Sequence, residues 1–165
     1  MKRIERVRLY PTNTQVQRLQ FALDVTRELY NALLQERRDA YRRGVRLRSK
    51  DQYAEITALR KPDDWVDGRL AGVYRECEDA VLHRLDLAFQ SFFRRIQRAE
   101  TPGYPRFKAS SRWKQLEFPH GQRALRFNAS QTRVRVPGIG SVRVRKGRMV
   151  PPVFGRAWIV ERNDR

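Results

Sequence analysis

An α+β fold follows from three features of the 165-residue sequence. Up to residue 101 the apolar residues recur mostly at helical spacing; beyond it they alternate with charged residues at strand spacing. Between the two halves, residues 101–108 carry Pro102, Gly103 and Pro105, which forbid regular structure. A short β-forming segment precedes the helices, so the predicted order is strand, helices, loop, strands.

Residues 2–10 are rich in β-formers, with Val7 and Leu9 on one face and Ile4 and Tyr10 on the other, and the strand ends at Pro11. Thr12 and Gln15 form a capping box ahead of Val16, Leu19 and Leu23. Leu29, Tyr30, Leu33, Leu34, Arg37 and Tyr41 carry the period on to Gly44, a C′ glycine, which predicts either a helical hairpin or one long bent helix. A basic connector over 46–50 leads to a second capping box, Ser49 with Gln52, before Tyr53, Ile56 and Leu59. Residues 61–65 break the chain again. Over 69–98 runs the longest helical period, with Val73, Cys77, Ala80, Val81, Leu85, Ala88, Phe89, Phe92, Phe93 and Ile96 on one stripe. Cys77 reads as a small core residue on that stripe and His83, off it, as a surface residue. Strand segments follow at 116–118, 124–128, 132–136 and 141–145. In the last pair Val134 and Val136 face Val142 and Val144 across a turn at 137–140, leaving Arg133, Arg135, Arg143 and Arg145 on the other face.

The formal charge is +18, and it is uneven: residues 102–165 carry 15 Lys and Arg against 3 Asp and Glu, whereas residues 1–101 carry 21 against 15. Thirty of the 36 cations are arginine, the side chain that forks onto phosphate and stacks on rings. Such a surface suits a polyanion. Membrane binding needs a spare amphipathic basic helix, and none is evident, so no membrane partner is expected. Cys77 is the only cysteine, which excludes a disulfide within the chain and a multi-cysteine zinc site; a cytoplasmic protein without cofactors is expected. Glycine-rich phosphate loops and Cys/His metal spacings are absent, His83 and His120 are isolated, and the acids Glu76, Glu78, Asp79 and Asp86 lie among helical bases. The residues therefore predict a binder and not an enzyme.

The binding candidates fall in three groups. Arg94, Arg95 and Arg98 close the long helix, where the macrodipole favours cations, and point towards the loop. In the loop, Tyr104, Arg106, Phe107, Lys108, Arg112, Trp113 and Lys114 alternate ring and cation, a composition suited to stacking on bases and neutralising phosphates. The third group is Arg133, Arg135, Arg143 and Arg145. The rings either stack on bases or pack into the core; Phe107 is expected in the core and Trp113 as the binding ring.

Five stretches taken in order resemble the N-terminal half of the TnpB/OrfB proteins, transposon-encoded RNA-guided DNA nucleases. They are Val-Arg-Leu-Tyr-Pro-Thr at 7–12, Glu-Leu-Tyr-Asn-Ala-Leu-Leu at 28–34, Ala-Phe-Gln-Ser-Phe-Phe-Arg-Arg at 88–95, Gly-Tyr-Pro-Arg-Phe-Lys at 103–108 and Val-Pro-Gly-Ile-Gly-Ser-Val-Arg-Val at 136–144. The resemblance implies a wedge-like antiparallel β-barrel, residues 1–11 with 114–150, interrupted by a helical recognition domain over 12–100. Residues 101–113 form the connecting loop and 151–165 an unassigned tail. It further implies that wedge and loop hold a guide RNA, and that the start of the long helix, with Arg69 and Arg75 beside Glu76 and Asp79, approaches the target DNA. The family's RuvC-like nuclease, with its three carboxylates and zinc element, has no counterpart before Arg165. The expectation is a binding portion without catalytic residues of its own, with three alternatives open: a fragment, a frameshifted remnant, or one half of a split protein whose partner is a separately encoded RuvC-like half. Two rivals stand beside it: a helix-turn-helix in residues 12–60 that reads transposon-end DNA, and a basic protein that only docks on another chain.

Overall fold

The computed structural model describes residues 4–61, 68–145 and 149–162. Most of the expected break at 61–65 and the first two residues of the expected strand lie outside these residues. Strand β1 is confined to Leu9–Tyr10. Helix α1 then runs without interruption from Asn13–Arg42, so the single-helix alternative holds. Its capping box is formed: the Gln15 N–H donates to Thr12 Oγ1 at 3.3 Å and the Thr12 N–H to Gln15 Oε1 at 3.0 Å. The helix stops where Gly44 takes φ +70, a conformation that favours glycine.

Helix α2 covers Ser49–Leu59, but its cap lies one residue earlier than the sequence suggests. The Asp51 carboxylate accepts the Arg48 N–H at 2.9 Å. Ser49 and Gln52 are thereby released for tertiary bonds, Ser49 Oγ donating to Asp86 at 2.6 Å and the fully buried Gln52 donating to the Leu33 carbonyl at 3.0 Å. A 3-10 turn at Leu70–Gly72 precedes helix α3, Arg75–Gln97, which therefore starts later than the periodicity implies. It ends at Ala99, whose φ is +53.

The contacts fix the helix directions. Phe21 meets Gly72 and Arg37 meets Asp86, so α1 and α3 run parallel. Gln52 bonds back to Leu33 while Arg60 bonds to the Leu70 and Val73 carbonyls, so α2 runs antiparallel to both. Leu29, Leu33, Leu34, Ile56, Val81 and Leu85 form the shared core. Cys77 is buried there as expected; burial, with Glu78 and Glu76 adding, pushes its thiol well up and keeps it protonated. His83 is exposed.

After the loop, the strands are β2 (Gln115–Phe118), β3 (Arg126–Phe127), β4 (Arg133–Val136), β5 (Gly140–Val144) and β6 (Ala157–Val160), with one short helical turn, α4, at Gly121–Ala124. They form a four-stranded sheet in the order β1-β5-β4-β3 and a separate β2-β6 pair, all antiparallel. The expected closed barrel is not formed among the described residues, because β1 and β3 end the larger sheet as edges and β2 pairs instead with the tail. Strand β6 lies in the tail that the sequence left unassigned. At Gly121 a Cβ would come within 2.6 Å of the Gly155 carbonyl, so only glycine allows the tail to approach α4 this closely.

In the β4–β5 hairpin Val134 stands opposite Val142, and Val136 opposite Gly140. The register thus differs by one pair from a valine-to-valine match throughout, yet Val134, Val136, Val142 and Val144 are all buried on one face. Gln15 of α1 donates to the Ser141 carbonyl at 2.8 Å and Arg18 to the Ile139 carbonyl at 3.3 Å, seating the first turns of α1 on this sheet.

One buried acid makes the stability depend on pH. Glu78 is fully buried; Arg60 Nη1 lies 2.8 Å from its Oε2, but that nitrogen also serves the Leu70 and Val73 carbonyls, and neither carboxylate oxygen has an aligned hydrogen bond. Burial outweighs the Arg60 charge and raises the Glu78 pKa from 4.5 to about 7. Within that window the folded state keeps a proton that the unfolded chain releases, so stability is fully present below about pH 4.5 and falls as pH rises towards 7. The expected fall is about 3 kcal/mol. Urea unfolding at pH 4.5 and 7.5 should show that much more loss for the natural chain than for Glu78→Gln; equal losses would refute the assignment.

Candidate nucleic-acid interface

The loop over 101–113 runs back along α1. Tyr104 and Phe107 lie against Arg38, Lys108 against Asn31, and Trp113 against Tyr30 and Thr26. Asn31 acts as a two-pronged clasp: its carboxamide oxygen accepts the Lys108 N–H at 2.8 Å and its amide donates to the Lys108 carbonyl at 3.0 Å. This pairing fixes the direction in which the loop returns to the sheet.

The two rings exchange the places predicted for them. Trp113 is 4% exposed, its Nε1 donates to Thr26 Oγ1 at 3.0 Å, Tyr30 packs at 5.3 Å and the Arg84 guanidinium lies 4.5 Å from the ring centroid. No face remains for a base, so Trp113 is a core residue. Phe107 is 46% exposed and Tyr104 37%. The physical reason is the course of the loop: Phe107 precedes the Asn31–Lys108 clasp and stays near the surface under the Arg38 guanidinium, whereas Trp113 follows the clasp into the gap between α1 and α3.

The cations of the loop also divide. Lys114 Nζ pairs with Glu161 at 2.8 Å, which uses it to hold the tail. Lys108 is half-buried over the Tyr30 ring, and burial, with Arg84 and Arg112 adding, lowers its pKa. Arg94, Arg95, Arg98, Arg106 and Arg112 are exposed.

The larger sheet supplies the second surface. Arg133, Arg135, Arg143 and Arg145 are all exposed on its outer face, as the alternation predicts. Arg133 stands directly opposite Arg143, and Arg135 opposite Arg126. Tyr10, also exposed, lies beside Arg143 with the Arg8 guanidinium 5.6 Å from its ring centroid. Like charges opposite one another cost a sheet stability. Among the described residues no carboxylate forms an ion pair with these five sheet arginines. The face is thus assembled against its own repulsion, as a surface that receives anions would be.

The two surfaces are far apart. Gln15, which is anchored to the sheet, and Arg38, which meets the loop, are separated by about 35 Å along α1 at a rise of about 1.5 Å per residue. Arg126 and Arg38 were not among the candidates. Arg126 had a signal, since it alternates with Leu125 and Phe127 as the hairpin arginines do with their valines. Arg38 follows Leu34 at helical spacing, but nothing in the sequence says that a loop will fold over it.

Each of the helical acids lies beside a basic side chain, although Glu76 Oε2 and both Glu78 oxygens lack an aligned hydrogen bond. Asp79 pairs with Arg75 at 2.7 Å, Asp86 with Arg37, Glu76 lies 3.5 Å from His120, and Glu78 is buried beside Arg60. Among the described residues no group of three His, Cys, Asp or Glu is placed to hold a metal ion. No helix among them is long and apolar enough to cross a membrane.

Residues 1–46 match a family model for the helix-turn-helix domain of OrfB/IS605-type proteins. Over that segment the chain is similar to the N-terminal region of OrfB/IS605-type proteins. Its described part holds β1 and one continuous helix, with no turn between two helices. No curated protein matches the chain.

Proposed function

We propose that this chain is the nucleic-acid-binding portion of a TnpB-like RNA-guided DNA nuclease, and that the outer face of the β1-β5-β4-β3 sheet grips the backbone of a structured guide RNA. The observation that carries this reading is the arginine face, with two cross-strand arginine pairs and no neutralising carboxylate among the described residues. Support also comes from β1, which precedes the helices yet pairs with β5 beyond them, as an interrupted wedge domain requires. Target DNA is a second ligand in this reading. In this reading phosphodiester cleavage belongs to a RuvC-like nuclease acting with the chain.

The matched description favours a rival, duplex DNA read by a helix-turn-helix. Helix α2 would have to be the reading helix, but it is joined by the six residues 43–48 and runs antiparallel to α1, whereas the motif has a shorter turn and steeply crossed helices. Its polar residues also include Asp51 and Glu55, which repel phosphate.

The test is salt dependence. Five arginines on phosphates should give a slope of log affinity against log salt of about −3.5 to −4.5. The triple variant Arg133→Ser, Arg135→Ser, Arg143→Ser should make that slope shallower by about 2 to 3 without lowering the melting temperature, because all three side chains are exposed and their loss relieves the cross-strand repulsion. An unchanged slope would overturn the assignment. Preference for transposon-end duplex over the element's RNA in direct competition would move the reading to the rival.

A further inference from the structure

Far from the sheet, the ends of α1 and α3 and the loop enclose a cluster of rings left partly open to solvent. Phe89, Phe92, Phe93 and Tyr104 interlock with centroids 5.2–6.3 Å apart. The Arg38 guanidinium lies 5.1 Å from the Tyr104 centroid and 4.7 Å from that of Phe107, joining the fifth ring to the four. Phe93 is 55% exposed, which is unusual for a ring in a cluster whose members could have closed over one another. Around them stand Arg94, Arg95, Arg98 and Arg106, all exposed and without an ion pair among the described residues; the nearby Asp86 is already taken up by Arg37, whose guanidinium lies over Phe89.

We infer that this ring cluster is a second, separate nucleic-acid site that stacks the unpaired bases of a single strand on Tyr104, Phe107 and Phe93 while the surrounding arginines hold its phosphates. Open rings inside a cationic rim match a single strand, whose bases offer faces and whose backbone offers charge at the same spacing. A duplex hides its base faces and gives the rings nothing to do. A second copy of this chain would cover the rings equally well, but it would bring two sets of four unpaired arginines together, so charge favours the nucleic acid. The site goes beyond the proposed sheet grip and stands or falls apart from it: about 35 Å of helix separates the two, and the ligand form differs.

The probes are a 12-nucleotide oligoadenylate, as RNA and as DNA, and a blunt duplex of the same length, titrated against the full chain. Tyr104→Ala with Phe107→Ala should weaken oligoadenylate binding about fivefold or more per stacked base and leave the duplex unaffected. Phe107→Leu keeps an apolar side chain without a stacking face and should weaken the single strand alone, which guards against a folding artefact. The Ser variants of the sheet should weaken the duplex and spare most of the single-strand effect. RNA and DNA arms of equal affinity would place recognition in the bases, and a preference for RNA would add the 2′-hydroxyl to it. The inference is overturned if both ring variants bind oligoadenylate as the natural chain does, if duplex and single strand weaken together, or if sedimentation shows that the rings join two copies of the chain.

Discussion

Trp113→Ala should destabilise the folded chain by about 3–5 kcal/mol, the cost of emptying a closed aromatic site. The indole fills the gap between α1, α3 and the start of β2, and its removal leaves the Thr26 hydroxyl without its Nε1 donor and the Arg84 guanidinium without its ring. Thr26 retains its bonds to the Ala22 and Leu23 carbonyls, so the lost volume and not the lost hydrogen bond dominates. Phe107→Ala should cost less than about 1 kcal/mol, because that ring is already half in water. Urea unfolding followed by circular dichroism measures both. A Trp113→Ala chain as stable as the parent, with its affinity for RNA reduced, would restore the indole to the binding surface and refute the packing seen here.

This contrast shows where the sequence was legible. Periodicity marked the helical stretch of α1, without deciding between one helix and two, and most of α3 and the β4–β5 hairpin, because a helix stripe or an alternating strand repeats its message over several turns or pairs. The arginine face was readable for the same reason: once Val134, Val136, Val142 and Val144 turn inward, the arginines between them must turn outward. The loop carries no repeat. Which of Tyr104, Phe107 and Trp113 reaches the core depends on where Asn31 clasps Lys108 and where Thr26 accepts the indole N–H, and both are contacts between residues far apart in the chain. Capping at α2 was misread by one residue because Ser49 and Gln52 fit the pattern locally, while Asp86 and Leu33 claim them in the folded state. Strand β6 was missed for another reason. Ala157–Val160 is a good β-former, but its partner β2 lies some forty residues earlier, and no tight turn announces the pairing.

Arg37→Ala should cost about 3–5 kcal/mol, since it breaks a partly buried ion pair from one side and leaves an acid without its counter-charge. The Arg37 guanidinium is the meeting point of all three helices. From α1 it donates through Nε to Gln52 Oε1 of α2 at 2.7 Å and through Nη2 to Asp86 Oδ1 of α3, and its face lies 5.1 Å from the Phe89 centroid. Ser49 donates to the same Asp86 oxygen, and Gln52 also donates to Glu36 Oε2 at 2.8 Å. Arg37→Lys keeps the charge but cannot serve Gln52 and Asp86 together, so it should recover only part of the loss. Pairing Arg37→Ala with Asp86→Ala should cost clearly less than the two single changes added, because the second removes the charge that the first had stranded. The four chains compared by urea unfolding complete the cycle. A loss below about 1 kcal/mol for Arg37→Ala, or strict additivity with Asp86→Ala, would mean that the helices are held by their apolar stripe and that this network only decorates it.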